Sequence, residues 1–340
     1  MKSQECLPEG VTLPAVTVAV CNYNQAPYVT EAIRSVRKQT YPNIELIVVD
    51  DCSTDDSGTR IEAAIAEMGG NATFIRRAEN GGQLAAMLSA LDQSSAPFIL
   101  WLDADDILAP NSIDVHVRFH LNSLTNCAMT SSNVAIIDAR GNVLSGATPA
   151  LADNATYRRK HEVEAVSALF DEVGPVHGYV LPKSYRHWAW SSTSGMMFRR
   201  VTIELIRPRY PEEIKISADN YLARFCHVMG GSIVIRKILA YQRIHGENQF
   251  SNFQIVGDRV KNVPDLRNLI DCMNYQFANV LSEQPQIISK CFRPRDIFKL
   301  VKGISTSRRT FDILMRNSAL KKRLSIGQNA VLRFRARKLA

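Results

Sequence analysis

The stretch FILWLDADDIL (98–108) runs five apolar residues into three carboxylates within four positions, Asp103, Asp105 and Asp106. Like charges a few ångströms apart raise one another's pKa and destabilise a fold unless a cation compensates them. A carboxylate-rich cleft suits a hard divalent ion, Mn2+ or Mg2+, which keeps room for phosphate oxygens. Such an ion can neutralise a diphosphate leaving group as charge builds on it. Two other polar clusters follow apolar runs, CNYN (21–24) and DDCSTD (50–55), and ENGG (79–82) opens a helical stretch with backbone N–H groups that could face phosphate or sugar. Each cluster also has a plainer reading. The acidic triplet could be a polar loop capping the helix near Pro110, and Asp51 could cap the helix after DDCSTDDSG, a role that suits Asp55 or Ser57.

The elements that must position these groups alternate. Residues 15–21 (AVTVAVC), 44–49 (IELIVV), 73–77 (TFIRR) and 97–102 (PFILWL) read as short β-branched or apolar strands. Helices are expected over 28–39, where Val29, Ile33 and Val36 share a face, and over 58–68 and 82–93. Strands alternating with helices of this length imply a parallel sheet covered on both faces, with ligands outside the carboxyl ends of the strands. No G-x-G-x-x-G follows the first strand and no Walker P-loop occurs. Further on, a helix near 110–124 precedes two β-rich runs around the turn DARGN. Residues 140–190 read as irregular, 194–198 as a buried strand, 217–229 as a helix and 232–244 as a strand or strand pair. From about 251 the chain reads as helical and basic, although LRFRARK (332–338) alternates in a way that fits a strand better.

The chain has 340 residues, 46% of them hydrophobic and 22% charged, the composition of an ordinary globular protein. No apolar run approaches the ~20 residues that span a bilayer, and MKSQECLPEG lacks the apolar core of a signal peptide, so a cytoplasmic setting is expected. Seven scattered cysteines without a C-x-x-C pair read as reduced thiols and make a zinc site improbable. The net charge of +8 is uneven. Residues 251–340 carry 18 Lys/Arg against 6 Asp/Glu, which leaves the body at 23 against 27. An acidic body with a basic tail points to an anionic surface as partner, and Phe311, Leu314 and Met315 could face either the domain or anionic lipid.

VTVAVCNYNQAPYVTEAIRSVRKQTYPNIELIVVDDCSTDDSG, ENGGQLAAMLSAL and FILWLDADDILAPNSI together resemble the nucleotide-binding half of family 2 glycosyltransferases. The resemblance is dense over 14–125 and looser to about 252. It implies the GT-A fold: an α/β architecture with a mainly parallel, Rossmann-like sheet and helices on both faces, followed here by a basic helical extension. The implied organisation is a GT-A domain over 1–250, with a nucleotide-sugar half (14–125) and an acceptor half (126–250), and the extension over 251–340. By position, the family's nucleotide-sugar contacts fall on Asn22, Tyr23, Asn24, Asp51 (to the base), Asn80, Gly81, Gly82, Gln83, Asp103, Ala104 and Asp105. SADNYLARF (217–225) sits where the family commonly has a Glu-Asp pair opening a helix. Here the first position is Ala218, so the general base would be Asp219 alone. YQRIHGENQFS (241–251) resembles the family's closing segment, which would bring Arg243 and His245 to the diphosphate or the metal. The metal would fall to Asp105 or Asp106, with His245, and would be Mn2+ or Mg2+.

The resemblance further implies an inverting displacement from a nucleotide-sugar donor, plausibly UDP-linked, to a carbohydrate or lipid-linked acceptor, in cell-surface glycan assembly and peripheral to the membrane through 303–340. Several of these residues have competing readings. Asp219 could simply be a favourable charge at a helix N-terminus, His245 a surface histidine, and Trp188 and Trp190 either an acceptor platform or local core. Two rival functions follow: a binding module that has lost its base, motivated by Ala218, and a nucleic-acid binder led by the tail, against which the acidic body argues.

Overall fold

The computed structural model describes residues 10–121, 126–146, 162–164, 176–183, 185, 188–246, 248, 266–337 and 339. Most of the stretch read as irregular, residues 251–265 and part of the closing segment lie outside them.

Four strands, β1 (Val16–Asn22), β2 (Ile44–Asp50), β3 (Thr73–Arg76) and β4 (Phe98–Asp103), lie in the parallel order β3-β2-β1-β4. Their connections are α1 (Val29–Arg37), α2 (Ser57–Glu67) and α3 (Gln83–Gln93), close to the expected ranges. Val16, Val18 and Val20 of β1 face one apolar core and Ala19 faces the other, as a strand buried on both sides requires. The register pairs Asn22 with Asp50 and Cys21 with Asp103, which sets the polar strand ends side by side. The order reverses between β1 and β4, the position at which open α/β sheets bind ligands.

β5 (Ile107–Leu108) and α4 (Ser112–His120) lead to β6 (Met129–Ile137), which folds back on β7 (Val143–Ser145) around the expected turn. The sheet continues through β8 (Glu162–Glu164), β9 (His177–Leu181), β10 (Met196–Arg199) and β11 (Ser232–Arg243), in the order β4-β10-β6-β11-β9-β8. β10 runs antiparallel to both neighbours, and β11 is one strand with register shifts near Ile238. Helices α5 (Arg200–Ile206) and α6 (Ala218–Gly230) separate β10 from β11.

The basic segment forms α7 (Leu266–Glu283), α8 (Pro285–Cys291), α9 (Pro294–Ile304), α10 (Arg308–Arg316), α11 (Ser318–Lys321) and α12 (Ile326–Ala336). It is packed on the body. Phe277 stacks on Phe225 of α6 at 4.0 Å, and Phe311 and Leu314 are buried in the same core, so of the two readings of that stretch the side chains take the inward one. The strand expected over 332–338 is corrected. Ser325 and Gln328 form a capping box, and Leu332 and Ala336, one turn apart, are buried at helical spacing.

Candidate active site

The ends of β1, β2 and β4 and the first turn of α6 converge. Among the described residues three other than glycine have left-handed backbones, Asn24 (φ 53°), Cys52 (φ 63°) and Ser217 (φ 56°), one in each of the loops bearing NYN, DDCS and SAD. Such backbones are disfavoured and persist where surrounding contacts over-determine them. Those contacts are present. Asn22 donates to Asp50 at 2.7 Å and to Ser53 at 3.0 Å, the Asn24 N–H donates to Ser53 Oγ, and Asn24 Oδ1 accepts from the Thr54 N–H at 2.8 Å. Asp55 accepts from the N–H groups of Ala26 and Ser57, so it braces two loops and opens α2. Tyr23, between the two asparagines, is exposed.

Asp51, expected at a base, is turned inward. Its oxygens accept from the N–H groups of Gly81 (3.0 Å) and Gly82 (2.8 Å), and Arg77 lies 2.7 Å away. Asp51 thereby holds the ENGG turn against β2, with Asn80 Oδ1 also taking the Gly82 N–H. Gly82 has φ +83°, and a Cβ there would stand 2.5 Å from Lys215 Cα, so only glycine lets α3 begin against the segment before α6.

The three aspartates of DADD separate in space. Asp103 is mostly buried, and burial, then Asp105, then Asp219, push its pKa up to about 7. Its N–H donates to Ser194 Oγ, and its Oδ1 accepts from Gln83 Nε2 at 3.2 Å. Asp105 Oδ2 lies 3.1 Å from His245 Nε2 and 3.2 Å from Asn248 Nδ2. Asp106, one of the two candidate metal ligands, is buried with both oxygens engaged, by the Ser194 hydroxyl (2.6 Å) and the Arg243 N–H (2.9 Å). It braces the turn from within, and none of its oxygen is turned to a ligand. Ala104 is likewise buried in the core, with its N–H on Cys21 O. The capping reading does not hold either, since α4 begins at Asn111 with no side-chain cap.

Arg243, expected at the diphosphate, is corrected to a structural bolt. Its Nε donates to Asp105 O (2.9 Å), Nη1 to Asp138 O and Ala139 O, and Nη2 to Glu31 (2.6 Å), while its face lies on Tyr28 at 4.9 Å. With every nitrogen engaged and 2% of its surface exposed, it cannot reach a ligand without dismantling the β4–β5 turn. His245 is not a surface residue: its ring is buried between Asp105 and Tyr28.

Asp219 is in the first turn of α6, where it accepts from the Asn220 N–H, and burial pushes its pKa up to about 6. A base with that pKa is ionised at neutral pH yet basic enough to take a proton. Gln83 joins the start of α6 to the end of β4: its amide donates to Asp103 and accepts the Ala218 N–H at 3.0 Å. Sequence reasoning assigned Gln83 to the sugar and missed its bridging role. It also missed Thr193, Ser194 and Asn248. The run SSTSG before β10, with its density of hydroxyls, was the available clue.

Among the described residues no three His, Cys, Asp or Glu side chains form a metal cluster. Asp105 and His245 make a two-residue donor set, an arrangement that fits a hard ion completing its shell with substrate phosphates.

The strand-order reversal, with carboxylates at the strand ends and Asp219 on the helix beside them, is a mixed α/β arrangement of the kind seen in GT-A glycosyltransferase folds. Residues 17–164 match the Glycosyl transferase family 2 profile, so this part of the chain is similar to the glycosyltransferases of that family. It is 28% identical over 233 residues to an uncharacterized glycosyltransferase of Nostoc sp., spanning 68% of this chain and 66% of that one. It is 35% identical over 111 residues to the teichoic acid poly(glycerol phosphate) polymerase of Staphylococcus epidermidis, spanning 33% of this chain and 15% of that one. An uncharacterized glycosyltransferase of Rickettsia felis is 31% identical over 183 residues, 53% of this chain and 29% of its own. The chain therefore spans at most about two-thirds of the curated relatives named here. S. aureus TarS 1–349 in complex with UDP superposes with a TM-score of 0.52 at 16% identity, covering 91% of this chain and 90% of that one, a likeness of fold.

Proposed function

We propose that the chain transfers a sugar from a nucleoside-diphosphate donor, a UDP-sugar, to a hydroxyl of a carbohydrate or lipid-linked carbohydrate acceptor, with inversion. The observation that carries this reading is the convergence of Asp103, Asp105 and Asp219, with Gln83 bridging Asp103 at the end of β4 to the first turn of the helix that bears Asp219. The TarS structure with UDP and the teichoic acid polymerase relative support a nucleotide donor and a cell-envelope product by analogy.

In the derived mechanism, Tyr23 and the braced NYN and DDCS loops receive the nucleoside, with the exposed ring available for stacking on the base. Asp105 and His245 would hold Mn2+ or Mg2+, and a bound ion would offset the charge on the diphosphate. Asp219 takes the acceptor proton as the acceptor oxygen bonds to the anomeric carbon, and the carbon–oxygen bond to the diphosphate breaks with its electron pair on the leaving group. A single displacement inverts the anomeric centre. With Ala218 in place of the family's usual acid, Asp219 carries the base role alone.

No described helix is long and apolar enough to cross a membrane. For the anionic surface expected through 303–340, α12 is the candidate. Ile326, Val331 and Phe334 are 91%, 53% and 61% exposed, and the exposed Lys321, Lys322, Arg333 and Arg337 lie within the helix or close to its ends in the chain. That combination fits an anionic lipid interface. Nucleic acid is not a proposed partner.

The test is nucleoside-diphosphate release from a panel of UDP-, GDP- and dTDP-sugars by the full chain, with Mn2+, Mg2+ or chelator, beside Asp105→Asn and Asp219→Asn. Release with one donor, lost in both variants, is expected. No release from any donor would sink the transferase reading, and undiminished release in chelator would remove the metal.

A further inference from the structure

A groove of about 270 Å3 lies between α6, α9 and the side chains of Tyr185, Trp188 and Trp190, and its lining includes Asn220, the residue after Asp219. Its walls combine two kinds of group. Trp190 is fixed by its Nε1–H, which donates to Ser232 Oγ at 2.9 Å, and the exposed Trp188 ring stands edge-on to it at 5.2 Å and 87°. The result is an aromatic surface held in place by a buried neighbour. Opposite, Arg224 lies one helical turn beyond Asn220, and Lys299 projects from α9.

Arg224 is unlike the other inward-facing arginines. Arg118 pairs with Asp114, Arg199 donates to the carbonyls of Cys127 and His120, and Arg243 is engaged at every nitrogen. Among the described residues Arg224 has no hydrogen bond and no ion pair, although it is half-buried and burial alone holds its pKa below the usual arginine value. Lys299 is also unpaired among the described residues, and Asn220 Oδ1 is buried without a partner. A desolvated guanidinium left open costs stability that a bound anion would return. The groove also runs from the N-terminal turn of a 13-residue helix, whose dipole favours negative charge.

We propose that this groove is the acceptor subsite and that it takes an anionic sugar: the pyranose ring lies on Trp188, and its phosphate or carboxylate is held by Arg224 and Lys299. The assignment of the groove to the acceptor rests on the transferase reading above. The anion and sugar chemistry rests on the groove itself.

The test is ligand-observed NMR titration of the full chain with glucose 6-phosphate, glucuronate, glucose and inorganic phosphate, none of which requires turnover. At least one of the two charged sugars should bind roughly tenfold or more tightly than glucose and than inorganic phosphate, and weaken in salt of about 1 M, where the Debye length is about 3 Å. Whichever charged sugar binds more tightly identifies the group. Arg224→Gln should lose most of that preference and Arg224→Lys should restore part of it. Lys299→Gln, at an exposed position, gives the same reading should Arg224→Gln fail to fold. Trp188→Ala should bring the charged sugar down to the affinity of inorganic phosphate. Equal affinity for charged and neutral sugars, no binding of either charged sugar, or indifference to both charge variants would overturn the proposal. A chain that releases nucleoside diphosphate yet ignores sugar charge refutes this inference alone. A chain that binds the charged sugar yet turns over no donor refutes only the transferase reading.

Discussion

Arg243 and Glu31 form an ion pair whose two members should differ sharply in importance. Arg243 is 2% exposed in its side chain and Glu31 57%. Replacing Glu31 by Gln leaves an oxygen to accept from Nη2 and removes only a screened charge, so the expected cost is under ~1 kcal/mol. Arg243→Gln is a different perturbation. It strips donors from the carbonyls of Asp105, Asp138 and Ala139, bonded at 2.9, 3.3 and 3.2 Å, and empties the space over Tyr28. The lost bonds to these partly exposed carbonyls count for less than the buried site of the side chain itself, and truncating a buried charged partner typically totals about 3–5 kcal/mol. Arg243→Lys should recover little, because one ammonium cannot reproduce the guanidinium fork. The assay is urea unfolding of the parent and the three variants at pH 7, followed by circular dichroism. Equal losses in Glu31→Gln and Arg243→Gln, or a loss under about 1 kcal/mol in the latter, would refute the argument that the buried guanidinium rather than the ion pair secures this turn.

Other expectations follow from the site. Asp219 must be ionised to act as base, so kcat/KM should fall about tenfold per pH unit below about 6, and Asp219→Asn should abolish turnover while leaving donor affinity within a few-fold; a profile flat from pH 5 to 8 would remove it as base. Gln83→Glu replaces the donor to Asp103 with a further carboxylate, so the acid limb should move to higher pH and kcat at pH 7 should drop roughly tenfold or more; an unmoved limb would deny the bridge any influence on Asp219. Sedimentation with phosphatidylglycerol vesicles should weaken in the Ile326→Asp, Phe334→Asp double variant while zwitterionic vesicles bind neither protein, and undiminished sedimentation would exclude α12 as the contact.

Much of the donor half was legible because its information is local. A β-branched run ending in Asn or Asp predicts both a buried strand and the end at which it meets solvent, and the β1–β2 and β1–β4 registers then set Asn22, Asp50 and Asp103 in a row. The extension was legible as helix over most of its length for the same reason. At 332–338 a local alternation misled, because burial of Leu332 and Ala336 against the core decides that segment.

By itself the sequence determined the alternating α/β order, the polar strand ends and the family profile that they match. Only the tertiary structure decided which carboxylate faces the cleft. Asp105 and Asp106 are chemically identical neighbours, but Asp106 finds Ser194, 88 positions away, and the Arg243 N–H, 137 positions away, while Asp105 meets His245. Successive side chains in a tight turn point in different directions, so partners remote in the chain select which one is buried. The same long-range packing turned Asp51 and Arg243 inward, joined the start of α6 to β4 through Gln83, and left Arg224 open beside Trp188.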